Sequence, residues 1–157
     1  MSIFVSMVAH IKKEKVLIGR KERIHFKEHD LKNMIAKVDT GAYSSSLHCK
    51  ILKTSIIDGI ENVCFIPLVH KNRVKHAHKI YVPISKKKKV KSSTGHEEER
   101  YFVKMHVQLN GHSLTTEFSL TDRSNMRHTI LLGRKFLKGR FIVDVSRKFL
   151  LSKKKKK

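Results

Sequence analysis

The segment Ala36-Lys37-Val38-Asp39-Thr40-Gly41-Ala42 brings a carboxylate, a hydroxyl and a glycine to the end of an apolar strand. An aspartate there is costly unless its charge is hydrogen-bonded or used, so Asp39 reads as a candidate acid–base group. Asp-Thr-Gly also occurs in ordinary turns, and a second feature gives it weight. Far along the chain, Thr129-Ile130-Leu131-Leu132-Gly133-Arg134 is an aliphatic run that ends in Gly-Arg and leads into a short helical stretch.

Other chemistries lack their residues. A zinc hydrolase of the H-E-x-x-H type needs two histidines one helical turn apart with a glutamate between them. His96-Glu97-Glu98-Glu99-Arg100 lacks the second histidine, and His76-Ala77-His78 offers two ligands at most. No G-x-x-x-x-G-K-[ST] loop is present to cradle a nucleotide. Cys49 and Cys64 lack a C-x-x-C spacing and are expected to be reduced and buried.

Taken together, several stretches resemble the retropepsin-like aspartic peptidases. They are Val16-Leu17-Ile18-Gly19-Arg20-Lys21-Glu22, Ala36–Ala42 with Ser44-Ser45-Ser46-Leu47-His48, Val90-Lys91-Ser92-Ser93-Thr94-Gly95, Leu120-Thr121-Asp122-Arg123, and Ile130–Leu137 with Val143-Asp144-Val145. Within that group the chain is similar to a bacterial family whose members are labelled ATP-dependent zinc proteases. The missing zinc and nucleotide motifs argue against that label, so no cofactor is expected.

The resemblance implies a mainly β fold: the single lobe of an acid protease, a closed, barrel-like sheet with one short helix near the C-terminus. It implies that Asp39, Thr40 and Gly41 form the catalytic turn. Two carboxylates about 3 Å apart cannot both ionise and so share a proton, one acting as base on water and the other as acid toward the scissile carbonyl. The chain has one Asp-Thr-Gly, so the second carboxylate is expected from a second copy in a homodimer. By the same resemblance Thr40 bonds across the two-fold axis and Ala42 lines a subsite. Ser93, Thr94 and Gly95 tip a flap spanning Lys91–Arg100 and hold substrate, while Leu132, Gly133 and Arg134 support the turn. Tyr43 stands where the bacterial pattern has arginine, and no acidic residue near it is available to Arg134. Retroviral members of the fold interleave their chain termini in the dimer, and Lys148–Leu151 could supply such a strand, but the five lysines that follow would repel their mates at close range. Relatives of the family are associated with ligases that append glutamates to proteins, which makes an acidic or glutamate-rich peptide the expected substrate.

The elements that must position these groups are short strands, because no 3.6-residue apolar period persists and alternation dominates. Expected strands are Lys15–Ile18, Arg23–Lys27, Met34–Val38, Ser46–Cys49, Leu52–Ile57, Glu61–Val69, Lys79–Ile84, Arg100–Leu109, Ser113–Leu120, Thr129–Leu132, Phe141–Val145 and Lys148–Leu151. Asp58-Gly59 and Asn110-Gly111 predict type I′ hairpin turns. Arg134–Lys138 predicts a helix that stops at Gly139.

The 157 residues suit one domain, read as an extension over 1–14, a peptidase domain over 15–152 and a basic tail over 153–157. No apolar run reaches the roughly 18 residues of a membrane span, and a cytoplasmic location is expected. With 35 Lys and Arg against 13 Asp and Glu, the net charge is +22, partly in the runs Lys86–Lys89 with Lys91 and Lys153–Lys157. Such runs ordinarily form solvated loops or tails. A field of this sign also admits a rival reading, a non-catalytic module that binds nucleic acid, although aromatic residues for stacking are sparse at 7%.

Overall fold

The computed structural model describes residues 13–68, 78–91, 94–121 and 127–152. Among these residues the chain is mainly β. Its strands are β1 (Val16–Gly19), β2 (Lys21–Phe26), β3 (Leu31–Val38), β4 (Ser45–Ile57), β5 (Ile60–Pro67), β6 (Ile80–Lys91), β7 (Glu97–Leu109), β8 (His112–Thr121), β9 (Ile130–Leu132) and β10 (Phe141–Asp144). One α-helix, α1 (Arg134–Leu137), follows β9. No helix among the described residues is long and apolar enough to cross a membrane.

Alternation sets which way each strand faces, because successive side chains point to opposite faces. In β3, Met34, Ala36 and Val38 are buried while Ile35 and Lys37 face out. In β2, Ile24 and Phe26 are buried, and Phe26 meets Phe118 of β8 edge-on at 5.4 Å between ring centroids. Each large aliphatic or aromatic side chain so buried contributes roughly 1.5–3 kcal/mol. The two hairpin turns form as expected: Asp58 and Gly59 have φ of 51° and 77°, and Asn110 and Gly111 have 37° and 81°.

The main sheet has eight strands in the order β2-β3-β9-β4-β5-β6-β7-β8, and further pairings β2–β7 and β4–β8 fold it back on itself. β1 and β10 form a separate parallel pair with Leu17 beside Ile142. β9 lies between β3, parallel to it, and β4, antiparallel to it. Buried on both faces, it is apolar at all three positions.

Three strand expectations are corrected. Ser46–Cys49 and Leu52–Ile57 are one strand, β4, with a bulge between Ile51 and Lys53. Its first part is buried between β9 and β8, and its second part extends outward as a hairpin arm with β5. The lysine run Lys86–Lys91 is strand, not loop, because its backbone pairs with β7 and carboxylates of other strands meet the ammonium groups. Lys87 Nζ lies 2.7 Å from Glu61, and Lys86 Nζ lies 3.0 Å from Glu117. Lys148–Leu151 is not a strand. Phe149 adopts a left-handed φ of 55°, and the backbone beyond it turns to a side chain instead of a sheet edge.

That side chain is Glu22, fully buried within β2. Its Oε1 accepts N–H bonds from Gly19 at 2.8 Å, Leu150 at 3.0 Å and Leu151 at 3.2 Å. Its Oε2 accepts from Ser152 N–H at 3.0 Å and from the Ser152 hydroxyl. One carboxylate thereby joins the β1–β2 turn to the C-terminal segment. Burial, the largest influence, works to raise the Glu22 pKa, and the bonds from Gly19, Ser152 and Leu151 together outweigh it, leaving the pKa below 4.5.

Because the folded value is lowered, the stability contributed by ionised Glu22 is full above the unfolded pKa and is lost as pH falls through the folded one. Glu22→Ala is expected to cost about 3 kcal/mol, since it strands backbone N–H groups. Glu22→Gln should melt lower than wild type at pH 7 and lose less between pH 5 and 3. Equal acid sensitivity of the two proteins in thermal melts would refute this role.

Candidate active site

Asp39 follows directly on β3, where Val38 pairs with Leu132 of β9. The ladder runs one bond further, Asp39 N–H donating to Leu132 O at 2.9 Å, so the residue leaves the sheet in a fixed direction. The chain then turns, with Ala42 N–H 3.3 Å from Asp39 O and Gly41 N–H 3.0 Å from Asp39 Oδ1. A side chain at residue 41 would begin 3.3 Å from that same carboxylate oxygen. Glycine therefore serves here to leave the carboxylate uncrowded. Asp39 is half-buried, and Thr40 and Gly41 are exposed.

β9 and α1 brace this turn. A Cβ on Gly133 would stand 2.6 Å from the backbone of Ser44 and 2.9 Å from Ala42 O, so only glycine allows the two segments to touch. Gly133 N–H reaches the buried Ser45 hydroxyl at 3.1 Å. The first N–H groups of the helix are satisfied by the turn itself, Arg134 N–H donating to Ala42 O at 2.8 Å and Lys135 N–H to Tyr43 O at 3.0 Å. Arg134 Nη1 donates to Thr40 O at 3.1 Å, and its guanidinium lies 5.7 Å from the centroid of the Tyr43 ring. In place of an acidic neighbour, Arg134 is held by a carbonyl and an aromatic face.

Asp39, Thr40, Gly41, Ala42, Leu132, Gly133 and Arg134 thus form one hydrogen-bonded unit. Thr94 and Gly95 belong elsewhere, at the exposed tip of the β6–β7 hairpin, where Lys91 pairs with Glu97 and Gly95 has φ of 83°. Ser93 lies outside the described residues, as do Asp122, Arg123 and the tail at 153–157. The hairpin is longer than expected, pairing from Ile84–Val103 outward. Sequence reasoning missed Ser45 as the acceptor for Gly133. Three serines in a row, Ser44 to Ser46, carry no signal of which one faces β9.

Residues 17–154 match the family described as RimB-like, retropepsin-like aspartic endopeptidase RimB. A Shewanella pealeana protein named probable alpha-L-glutamate ligase is 31% identical over 140 residues, covering 89% of this chain and 31% of that protein. A Desulfotalea psychrophila protein of the same name is 33% identical over 132 residues, 83% of this chain and 28% of that protein. The chain therefore spans less than a third of the length of these curated relatives. In three dimensions it is similar to a Legionella pneumophila protein of unknown function, with a TM-score of 0.72 at 22% identity, covering 88% of this chain and 99% of the other.

Gly133→Ala is expected to destabilise the protein by about 2 kcal/mol or more, since its methyl group meets backbone that cannot swing aside. Urea unfolding measures this, and a midpoint equal to wild type would show that the contact between Gly133 and the Ser44 backbone is not constraining.

Proposed function

The chain belongs to the RimB-like family of retropepsin-like aspartic endopeptidases, and from that membership we propose that it is one half of a homodimeric aspartic endopeptidase. The observation that carries the reading is the state of Asp39. Its backbone N–H donates to Leu132 O at the end of the ladder and its Oδ1 accepts from Gly41 N–H, which fixes the carboxylate on the turn that β9 and α1 brace. The group is half-buried beside exposed Thr40 and Gly41, so a carboxylate of fixed orientation lies next to open backbone.

In the proposed dimer Asp39 and its mate share one proton across the two-fold axis. One activates a water molecule and the other protonates the scissile carbonyl oxygen. In this reading Thr40, which is exposed, bonds across the axis, and Ala42, which is half-buried, lines the adjoining subsite. Thr94 and Gly95, at the tip of the β6–β7 hairpin, would cover an extended peptide and bond its backbone. An acidic, glutamate-rich substrate is supported by the net charge of +22 and by relatives whose name is that of glutamate ligases. Two free, buried cysteines suit a reducing compartment such as the cytoplasm. The same net charge supports a second reading, a non-catalytic module that holds nucleic acid.

Mass spectrometry of a peptide library with glutamate-rich members, run from pH 4 to 8, separates the two. Wild type should cleave, and Asp39→Asn should lose at least about 10³-fold in rate while keeping its polyanion binding. Specific activity should also fall on dilution below the dimer dissociation constant. Cleavage by the Asn variant, or none by a wild-type protein shown to be dimeric, would refute the peptidase reading.

A further inference from the structure

β4 changes character along its length. From Ser45 to His48 it is buried and pairs with β8, while β9 pairs with Ser46 and Leu47. From Cys49 to Ile57 its one strand pairing among the described residues is with β5. The opposite edge of that stretch presents backbone donors and acceptors to solvent, which is a template for another strand. Its faces are open as well. Between Lys50 and Ile57 only Ser55 is half-buried and every other residue is exposed, Ile56 to 74%. Ile51, Leu52, Ile57 and, across the turn, Ile60 are exposed with it, so the arm gathers five large aliphatic side chains in water.

The order of residues along this edge, Lys50-Ile51-Leu52-Lys53-Thr54-Ser55-Ile56-Ile57-Asp58, complements itself. Laid antiparallel on a copy about a two-fold axis at Thr54, Lys50 faces the partner's Asp58, Ile51 the partner's Ile57 and Leu52 the partner's Ile56. The axis repeats each contact, which gives four apolar pairs and two opposite-charge pairs. Sliding the copy by two residues is the smallest step that keeps backbone groups facing each other. It sets Leu52 against Asp58 in one direction and Lys53 against Lys53 in the other. The backbone agrees with the register at Thr54. Ile57 and Ile60 close the two-residue Asp58-Gly59 turn, and alternation from that pair turns the N–H and C=O of Ile56 and Thr54 away from β5. The bulge between Ile51 and Lys53 bends β4 there, so backbone pairing centres on Lys53 to Ser55 and side chains make the outer contacts.

We infer that the β4 arms of two copies of this chain pair edge to edge about a two-fold axis at Thr54. This surface is separate from the homodimer proposed around Asp39. Thr54 lies about 30 Å along β4 from Ser45, and antiparallel pairing points the two buried ends of β4 in opposite directions, so this axis holds the two Asp39 turns apart. The inference stands whether or not Asp39 is catalytic. Both axes together would build a tetramer, and the arm alone a dimer.

Sedimentation of the full-length protein from about 1 to 100 µM tests it. Wild type should gain mass with concentration. Ile56→Lys, which sets a charge against the partner's Leu52, should weaken association about tenfold or more and halve the mass reached. Lys50→Glu, facing the partner's Asp58, should weaken it too, and both sites are exposed, so an unchanged circular dichroism spectrum is expected of each variant. Oxidation reads the register. Thr54→Cys should form a disulfide-linked dimer about tenfold faster than Ile60→Cys, because only position 54 faces itself across the axis. The native Cys49 and Cys64 are buried and do not compete. A protein that stays monomeric throughout overturns the inference and leaves the edge to a strand of some other chain. An oligomer whose mass neither Ile56→Lys nor Lys50→Glu lowers overturns it as well, and equal cross-linking of the two cysteine variants removes the axis from Thr54. None of these measurements depends on peptide cleavage, so failure of the peptidase reading and failure of the arm are told apart.

Discussion

The site depends on three apolar residues being held between two strands. Ile130, Leu131 and Leu132 pair in parallel with the end of β3 and antiparallel with the start of β4. A strand buried on both faces must place all its backbone groups in hydrogen bonds, and β9 does so using the residues on either side of the Asp39 turn. One neighbour leads into Asp39 and the other leads away from Ser45. The turn is therefore tied at both ends by the same short segment. Gly133 completes the arrangement, because any side chain there would push the Ser44 backbone away from β9.

Glu22 plays a corresponding part at the start of β2, where it pairs with Ala36 of β3. A fully buried carboxylate is normally unfavourable, but here Gly19 and residues 150 to 152 supply its donors. In the retroviral pattern the chain termini interleave between copies, whereas here residues 150 to 152 bond within their own chain. β1 and β10 likewise pair with each other, leaving Leu17 and Ile142 exposed side by side.

Charge is distributed with the same economy. Lysines of β6 are accommodated within a strand because Glu61 and Glu117 lie on other strands nearby, and because Lys86 Nζ lies 4.6 Å from the Phe102 ring centroid. Those ion pairs engage the acidic side chains near the hairpin. Arg134, beside the Asp39 turn, is held instead by the Thr40 carbonyl and the Tyr43 ring.

The Asp39 turn, the Gly133-Arg134 corner, both hairpin turns and most strands were legible in the amino-acid sequence. Each is dictated locally, by alternation, by the positive φ that Asn-Gly and Asp-Gly tolerate, or by a short motif. The β-strand character of Lys86–Lys91 was not legible, because lysine has little intrinsic preference for strands and its partners are far away in sequence. Nor was the fate of Lys148–Leu151, whose apolar residues read as a strand until Glu22, more than a hundred residues earlier, takes their N–H groups. Ser45 could not be distinguished from its two serine neighbours, since only the position of β9 selects it. Local patterns settled which residues turn, alternate and bear charge. Tertiary structure decided which buried donors meet which acceptors and where the cations converge, because those are contacts between segments that no local pattern records.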